Sequence, residues 1–375
     1  MKRCDALVVG GGPAGSTCAW RLRQAGLDVV VLDRQTFPRD KVCAGWITPA
    51  VVEALELDLE DYARERVLQP LRGFRISLMG RAEAAVRYPQ PVSYGIRRCE
   101  FDHYLLGRSG ARPALGEGLE SLERSDGDWV VNGRLRTPLV IGAGGHFCPV
   151  ARHLGARPGS SEAAVTAKEI EFEMSPEQAR QCRFRPDVPE LFFCADLKGY
   201  AWVFRKGDWL NIGLGRQDKQ QLGRHIDAFM AFLTDSGRLS GDVPSRFHGH
   251  AYLLYGDTPR KVVDDGVLLI GDAAGLAYAQ SGEGIRPAIE SALMAASLIA
   301  SVDGAYGRER LQPYVDQLVR RFGPRERSHH LALHGLLPET VKRGLAARLL
   351  ASRWFARRWV LDRWFFHVDQ APLRV

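Results

Sequence analysis

The first residues whose types and spacing could do chemistry are Gly-Gly-Gly-Pro-Ala-Gly at positions 10–15, directly after the apolar run 6–9. Gly10 permits a tight turn out of a strand, Gly12 lets the backbone approach a pyrophosphate, and Gly15 lets the next helix pack closely on the sheet. The N-terminus of that helix favours negative charge, because it combines unpaired N–H groups with the positive end of the dipole. The spacing therefore predicts a βαβ unit that binds a dinucleotide.

An acidic residue completes this unit. A second apolar run, 29–32, closes on Asp33, eighteen positions after Gly15. A carboxylate in this place accepts a hydrogen bond from a ribose 2′-hydroxyl and repels a 2′-phosphate. We therefore expect FAD or NAD rather than NADP.

A second pattern of the same kind lies far downstream. The apolar run 267–270 leads into Gly271-Asp272, and Gly282-Glu283-Gly284-Ile285 opens a helical pattern that continues to about residue 300. In flavoproteins such an aspartate caps the ribityl chain, while the helix points its N-terminus at the flavin. Two such patterns in one chain favour FAD over NAD.

The elements that position these residues belong to more than one lobe, because 375 residues exceed the usual length of one domain. Alternating segments such as 200–205 and 210–214 predict an antiparallel sheet between the two nucleotide patterns. We expect a mixed α/β fold, with a Rossmann-like FAD-binding domain, an inserted antiparallel-sheet substrate domain and a helical C-terminal segment. The expected bounds are 1–75, 95–160 and 256–330 for the discontinuous FAD-binding domain, 76–94 and 161–255 for the substrate domain, and 331–375 for the C-terminal cap.

Cysteine spacing and hydropathy indicate the compartment. The seven cysteines include neither a Cys-x-x-Cys pair nor zinc-like spacing, and His248 and His250 have no third metal ligand in view. We expect reduced thiols in a cytosolic protein and no metal site. We also expect neither a signal peptide nor a membrane span, since no run of about eighteen apolar residues occurs.

The segment 338–375 is basic and aromatic, with eight basic residues, three acidic ones and six tryptophan or phenylalanine residues. This composition is typical of contact with an anionic membrane, and a helical cap over the substrate lobe explains it equally well. On one continuous helix, Leu345 and Leu349 would project opposite Trp354 and Leu361, so no single apolar stripe forms. No nucleic-acid-binding module accompanies the charge, and we expect no nucleic-acid partner.

Further motifs complete the pattern: Phe37-Pro38-Arg39-x-Lys41-x-Cys43-x-Gly45, Arg98-x-x-Phe101-Asp102 and Tyr200-x-Trp202-x-Phe204. Over roughly residues 1–325 the chain resembles the geranylgeranyl reductase family of flavoproteins. That family lies within the glutathione-reductase and aromatic-hydroxylase type of fold, which flavin-dependent halogenases share. The resemblance implies FAD and a tunnel for an apolar isoprenoid chain. The cofactor-binding residues it implies are Gly10, Gly12, Pro13, Ala14, Gly15, Asp33, Arg34, Lys41, Cys43, Ala44, Arg98, Gly144, Gly271, Asp272, Gly282, Glu283, Gly284 and Ile285.

Four positions depart from the family pattern. Gly144 stands where Asp is usual, Cys148 replaces Ser, Ala151 replaces Arg, and Arg205 replaces the Pro after the aromatic triplet. The missing aspartate makes a conventional NADPH-dependent hydroxylase a poor fit. The halogenase pattern Trp-x-Trp-x-Ile-Pro is also incomplete. Arg205 and its neighbour Lys206 either bind a substrate diphosphate or phospholipid head group, or form a solvated turn.

The chemistry implied is reduction of a carbon–carbon double bond in a prenyl-type or other apolar substrate. Flavin N5 would supply a hydride to one carbon, and a protein group would supply a proton to its neighbour. Cys43, Tyr200, Glu283 and His250 are candidate donors, and the sequence does not choose among them. Trp202 is either a wall of the pocket or a core aromatic. The candidate catalytic residues are Cys43, Tyr200, Trp202 and Glu283.

Two other function classes stay open. One is a monooxygenase that acts through a C4a-peroxide, and the other is a flavin-binding redox sensor or assembly protein without turnover. No second glycine-rich nucleotide site is visible in the sequence, so electrons would come from a transient NAD(P)H contact or from a protein donor such as ferredoxin. We expect the protein in the cytosol, with peripheral contact at the inner membrane face as an alternative.

Overall fold

The computed structural model of the chain describes residues 1–159, 162, 164–217, 221–239, 241–257, 259–324 and 339–373. The strands in chain order are β1 (Lys2–Arg3), β2 (Ala6–Val9), β3 (Val29–Asp33), β4 (Trp46–Ile47), β5 (Leu68–Leu71), β6 (Gly73–Leu78), β7 (Glu83–Arg87), β8 (Ser93–Ile96), β9 (Arg112–Leu115), β10 (Leu122–Ser125), β11 (Asp128–Val131), β12 (Leu135–Thr137), β13 (Val140–Gly142), β14 (Ala164–Glu173), β15 (Glu190–Phe193), β16 (Gly199–Lys206), β17 (Trp209–Arg216), β18 (His248–Leu253), β19 (Val263–Asp264) and β20 (Val267–Leu269).

Helices occupy the C-terminal end of the described chain and several connections between strands. In chain order they are α1 (Pro13–Gln24), α2 (Pro49–Ala54), α3 (Leu59–Ala63), α4 (Arg98–Arg108), α5 (Pro149–His153), α6 (Pro176–Gln181), α7 (Leu222–Asp235), α8 (Ile285–Ser301), α9 (Arg308–Leu311), α10 (Pro313–Phe322), α11 (Glu339–Ala351) and α12 (Arg353–Phe355). A 3₁₀ turn spans Gly271–Ala274 and a π-helical segment spans Ala356–Phe365.

A six-stranded sheet in the order β19-β20-β13-β2-β3-β9 carries the nucleotide patterns. All its pairs are parallel except β19 with β20. Its central strands are short runs of Val, Leu and Ile that are buried along their length, as a parallel sheet covered on both faces requires. This arrangement brings the carboxyl ends of β2, β3, β13 and β20 to one edge.

The other large sheet has seven strands in the order β18-β14-β17-β16-β15-β6-β7, and every pair is antiparallel except β15 with β6. One face packs on α7 through Phe192, Val203 and Phe229. The opposite face presents Phe74, Trp202 and Phe204 to the C-terminal helices. Two smaller sheets, β4-β8-β5 and β1-β12-β11-β10, complete the described strands.

The C-terminal segment covers the open face of the seven-stranded sheet. Leu350, Val360, Leu361, Phe365 and Phe366 are buried there in one apolar cluster with the sheet residues. The part of the expected cap before Glu339 lies outside the described residues. The chain is not one continuous helix here, because α11 ends at Ala351 and a new helix begins at Arg353. The break explains why Leu361 is buried while Trp354 is exposed together with Leu345 and Leu349.

A buried ionic cluster attaches this segment to α8 and α10. Glu290 on α8 accepts hydrogen bonds from Arg286 and from Arg321. Arg286 also donates to the carbonyl of Phe366, and Arg321 donates to the carbonyl of Ala371. Each cation therefore bridges a buried carboxylate and the backbone of the cap.

The expectation of a mixed α/β fold with a Rossmann-like unit and an antiparallel-sheet insertion is confirmed. The idea that Lys206 binds a substrate head group is wrong. Its ammonium is fully buried and bonds to Glu171 and to the carbonyl of Ile96, because β16 turns that side chain into the interior. In the described part of the chain, no helix has both the length and the apolar character needed to cross a membrane.

Candidate active site

A cavity of about 810 Å³ lies between the six-stranded and seven-stranded sheets. Its lining runs from Gly12 and Asp33 at one end to Trp202 and Phe365 at the other. This volume lies within the range of ligand sites in proteins. One continuous space therefore joins the nucleotide patterns to the aromatic face of the second sheet.

The glycine loop closes the nucleotide end. Gly10 has a φ of +114°, and a Cβ on Gly15 would lie 1.8 Å from the carbonyl oxygen of Gly10. Only glycine fits at both positions, since α1 begins directly against the turn out of β2. Asp33 at the end of β3 holds the loop, because its Oδ2 accepts from the Gly11 N–H at 2.8 Å.

Positive charge gathers beside this loop. Among the described residues no side chain caps the N-terminus of α1, which follows Gly12. Arg98 donates twice to Asp102, at 2.8 and 2.9 Å, and Arg39 pairs with the same carboxylate at 3.2 Å. The Arg39 guanidinium reaches within 3.4 Å of the position a Cβ on Gly12 would take. Two guanidinium groups share one carboxylate here, so the cluster keeps a net positive charge that suits a pyrophosphate.

Three half-buried polar side chains, those of Lys41, His250 and Asp272, lie close together at the second nucleotide pattern. Lys41 Nζ lies 2.9 Å from the His250 ring, and His250 Nε2 lies 3.6 Å from Asp272 Oδ2. Burial, aided by the charge of Arg98, lowers the pKa of Lys41 to about 8. Burial and Lys41 lower the pKa of His250, so the imidazole is neutral near pH 7. Burial favours protonation of Asp272, but His250, Lys41 and Arg98 outweigh it and hold its pKa below the ordinary value.

The N-terminus of α8 faces the same space. A Cβ on Gly284 would lie 3.0 Å from Asp272 Oδ1, so glycine lets this helix approach the aspartate. The preceding residue, Glu283, has both carboxyl oxygens buried without a hydrogen-bond partner among the described residues. Burial raises the pKa of Glu283 to about 8. An orphaned acid at a helix N-terminus is a place where a polar ligand group would bind.

Aromatic side chains form the far end of the cavity. Trp46 stacks on Phe365 with ring centroids 5.3 Å apart, and Tyr200 meets Phe365 edge-on at 5.6 Å. Tyr200 donates its hydroxyl to the carbonyl of Ser281 at 2.6 Å. Burial raises the pKa of Tyr200 well above its ordinary value, so this phenol stays protonated. The walls suit a flexible apolar chain rather than a second nucleotide.

The nucleotide end fits FAD on four structural grounds: the glycine cradle, the carboxylate that ends β3, the cationic cluster and the helix that begins after an orphaned acid. Residues 5–92 match the family model described as FAD dependent oxidoreductase. The chain is 32% identical over 343 residues to menaquinone reductase of Mycobacterium tuberculosis. The alignment covers 85% of this chain and 80% of that protein. It is 30% identical to geranylgeranyl diphosphate reductase of Rhodobacter capsulatus, over 75% of this chain and 71% of that protein. The chain belongs to the geranylgeranyl reductase family.

The fold of the chain is also consistent with membership of the geranylgeranyl reductase family. A geranylgeranyl bacteriochlorophyll reductase-like protein from Thermoplasma acidophilum superposes with a TM-score of 0.78 at 19% identity. The match covers 97% of this chain and 98% of that one. The protein is an FAD-dependent oxidoreductase, and the FAD expected from the sequence is confirmed.

Most of the residues expected to bind FAD in this geranylgeranyl reductase family member line the cavity. Gly15 and Gly271 do not, and they instead allow α1 and α8 to pack closely. The residues that do are Gly10, Gly12, Pro13, Ala14, Asp33, Arg34, Lys41, Cys43, Ala44, Arg98, Gly144, Asp272, Gly282, Glu283, Gly284 and Ile285.

The four candidate catalytic residues also come together. Cys43, Tyr200, Trp202 and Glu283 all line the cavity. Across the described residues no cluster of His, Cys, Asp and Glu could hold a metal. Glu169, which is 6% exposed and lines the cavity, was not predicted from the sequence as a site residue. The alternation Lys168-Glu169-Ile170-Glu171 is typical of a strand with one solvated face, so it gave no signal.

Proposed function

We propose that this protein saturates a carbon–carbon double bond in the prenyl chain of a lipid-like substrate. The observation that supports the proposal is the continuity of the cavity. Its FAD end continues into walls formed by Trp46, Trp202, Phe204 and Phe365. The names of the relatives support the same substrate class. Menaquinone and geranylgeranyl diphosphate both carry a prenyl chain, although their head groups differ.

The chain's own residues would bind the cofactor and shape the reaction space. Gly12, Arg39 and Arg98 would hold the pyrophosphate, and Asp33 and Asp272 would hold the ribose and ribityl hydroxyls. When bound and reduced, FAD supplies a hydride to one carbon of the double bond. The loop that carries Cys43 would position the double bond, and the cap residue Phe365 would exclude water.

Two departures from the family pattern make the monooxygenase alternative a poorer fit. A Cβ on Gly144 would lie 3.2 Å from the sulfur of Cys148, so the two substitutions fill one space together. An aspartate at 144 would collide with Cys148. The acidic group that helps hydroxylases bind both FAD and NADPH is therefore replaced by packing.

The decisive experiment follows flavin absorbance without oxygen. The holoprotein is reduced with dithionite and mixed anaerobically with a menaquinone or with geranylgeranyl diphosphate, and the product is weighed by mass spectrometry. A reductase of the proposed kind reoxidises its flavin without oxygen and yields a product with two added hydrogens in the prenyl chain, which fragmentation distinguishes from two hydrogens added to the quinone ring. A flavin that stays reduced until oxygen is admitted, with a product one oxygen heavier, would establish the monooxygenase instead. Flavin that reoxidises in air without any substrate product would favour the sensor.

The electron donor is a separate proposal with two candidates. NAD(P)H would reduce the flavin through a transient contact, and a ferredoxin-type protein would do so at the surface. Stopped-flow reduction of the oxidised holoprotein by NADH, NADPH and reduced ferredoxin ranks the three directly. A donor that reduces the flavin no faster than buffer is eliminated.

We also propose that the cap contacts an anionic membrane. Leu345 and Leu349 are 51% and 38% exposed one helical turn apart on α11, and Trp354 is 67% exposed beyond the helix break. Arg348 and Arg353 are exposed beside them. Apolar side chains bordered by cations suit the interface of an acidic lipid surface. This surface lies next to the cavity wall formed by Phe365, which would shorten the path of a lipid substrate.

Vesicle binding tests the membrane proposal. The holoprotein should sediment with phosphatidylglycerol vesicles, less with phosphatidylcholine vesicles, and less in high salt because the charges are exposed. The double variant L345A/W354A should bind about tenfold less or worse. V319A is the matched control, since Val319 is an exposed apolar residue of α10 outside the cap. Equal binding by the double variant and the control would contradict the proposal.

A further inference from the structure

A buried carboxyl group, that of Glu169, lines the cavity beside the aromatic residue Trp202. Glu169 lies in the middle of β14, within the seven-stranded sheet, and is 6% exposed. A Cβ on Gly213, its partner across the sheet, would lie 2.2 Å from the Trp202 ring and 3.0 Å from the Glu169 Cβ. The carboxyl group therefore stands beside the indole that lines the expected path of the prenyl chain.

Asn211 ties Glu169 to the Cys43 loop. Its amide nitrogen lies 3.3 Å from a Glu169 oxygen, 3.2 Å from the Cys43 carbonyl and 3.3 Å from Glu171. Trp202 Nε1 donates to its amide oxygen at 2.8 Å. An amide nitrogen carries only two hydrogens, so it cannot satisfy three acceptors together. A proton on Glu169 removes this shortage.

The surrounding charges place that proton on Glu169 rather than on Glu171. Lys206 donates to Glu171 at 2.7 Å, and Arg97 lies 3.6 Å from the same carboxylate. Across the sheet, Glu169 is paired with exposed His248 on β18. Burial, followed by the charge of Glu171, raises the pKa of Glu169 to about 8, although Lys206 and hydrogen bonds from the Cys43 backbone and Asn211 act against it.

The charged side chains of this cluster differ in how exposed they are. The Glu171 side chain is 19% exposed and Arg97 is 17% exposed, whereas Lys206 is fully buried. Glu171 follows Glu169 by two positions, so both side chains lie on one face of β14. Both carboxyl groups line the cavity, Glu171 is the more exposed of the two, and the Asn211 amide lies between them.

We propose that Glu169 is the proton donor of the reduction and that water entering beside the more exposed Glu171 returns the proton to it. This rests on the proposed function. Transfer of the hydride supplied by reduced FAD forms a C–H bond at one alkene carbon, and the π electron pair of the double bond is used at the neighbouring carbon in the same step. That carbon takes the proton of the Glu169 carboxyl group: its O–H bond breaks, a second C–H bond forms, and the electron pair stays on the carboxylate. A water molecule that enters the cavity then gives a proton to the Glu169 carboxylate directly, and the net change is two electrons and two protons added to the alkene.

Three of the four candidates expected from the sequence, Tyr200, His250 and Glu283, are less well placed for this role. Tyr200 already donates its only hydroxyl hydrogen to Ser281, and His250 is neutral near pH 7. Glu283 has no hydrogen-bond partner among the described residues that would lead a proton back to it. Its place beside Gly284 puts it at the expected FAD end instead.

The test uses the FAD-bound Glu169→Gln variant, which keeps the size and hydrogen-bonding capacity of the side chain. It should form the product with a saturated prenyl double bond from a menaquinone or from geranylgeranyl diphosphate about 100-fold more slowly than wild type, the usual contribution of a general acid. The wild-type rate should fall as pH rises through about 8, and the variant should lose this dependence. Glu173→Gln is the matched control, since Glu173 is the exposed glutamate at the end of β14.

A second measurement needs no substrate. The infrared difference spectrum of wild-type holoprotein minus Glu169→Gln at pH 7 should contain the C=O band of a protonated carboxylic acid. Absence of that band overturns the proposal. So does an unchanged pH profile in Glu169→Gln, or loss of the profile in Glu283→Gln alone. Failure of wild-type flavin to be reoxidised by either probe counts against the proposed function, and the infrared result then decides the state of Glu169 separately.

Discussion

Trp202 occupies the space that a side chain at Gly213 would need. The two residues are paired across β16 and β17, and a Cβ on Gly213 would lie 2.2 Å from Cζ2 of the indole. The indole therefore lies against bare backbone, with its Nε1 bonded to Asn211. Glycine at 213 thus sets the position of an aromatic wall of the cavity.

Gly213→Ala should displace Trp202 and weaken substrate binding while FAD remains bound. Overpacking of this kind costs about 1–3 kcal/mol, so KM for the prenyl substrate should rise about tenfold. Gly223→Ala on α7 is the control, because a Cβ at that position would have no described atom within 4 Å beyond its own helix backbone and chain neighbours. Steady-state kinetics and flavin content check both variants, and an unchanged KM in Gly213→Ala would show that the indole does not contact substrate.

Asp33→Ala should release FAD. The carboxylate accepts from the backbone N–H groups of Gly11 and Gln35, so without it the glycine loop loses one anchor and the turn after β3 loses another. Loss of hydrogen bonds to a charged group costs about 1.5–3 kcal/mol, which predicts FAD binding at least about tenfold weaker. Titration of the apoprotein with FAD, followed by flavin fluorescence, gives Kd. Asp28→Ala, which removes an exposed ion pair with Arg112, should leave Kd unchanged.

Glu290→Gln should loosen the cap. The change leaves Arg286 and Arg321 without their shared buried carboxylate, and breaking such a group costs about 3–5 kcal/mol. Hydrogen exchange should accelerate over 353–366 more than over the β2–α1 unit. Uniform acceleration across both regions would mean that Glu290 stabilises the whole fold rather than the attachment of the cap.

The stability of the holoprotein should depend on pH through Glu169. Its pKa is raised from the ordinary 4.5 to about 8, so between these values the folded state holds a proton that the unfolded chain releases. The free energy of unfolding therefore falls as pH rises through this window, by at most about 1.4 kcal/mol per pH unit from this group. Urea unfolding of Glu169→Gln should show a shallower decline than wild type, with the contribution of Glu283 remaining. Equal slopes would place the Glu169 proton elsewhere.

The nucleotide half of the site was predictable because its requirements are local. Gly10, Gly15 and Asp33 act through backbone conformation and short spacings, and Asp272 follows a buried strand that can be recognised by its apolar run. The structure places all four where those rules require them. The aromatic triplet at Tyr200 was likewise found by its motif, and Trp202 does line the cavity.

The polar cluster around Glu169 could not be predicted from one sequence. Its members come from β14, β16, β17 and the loop of Cys43, and only the register of the seven-stranded sheet brings them together. Lys206 shows the same limit. Its neighbour Arg205 is partly exposed while Lys206 is buried, because alternate residues of a strand face opposite sides.

The order of strands in the six-stranded sheet also determines when the sheet can assemble during synthesis of the chain. β2 pairs with β13, and β13 pairs with β20, so the middle of the sheet is assembled from segments far apart in the chain. On the ribosome, the apolar edge of β2 stays open until Val140–Gly142 has emerged, and Asp272 arrives only after the whole second sheet has been synthesised. We therefore expect FAD to bind late in biogenesis, after a period in which the nascent chain carries open strand edges.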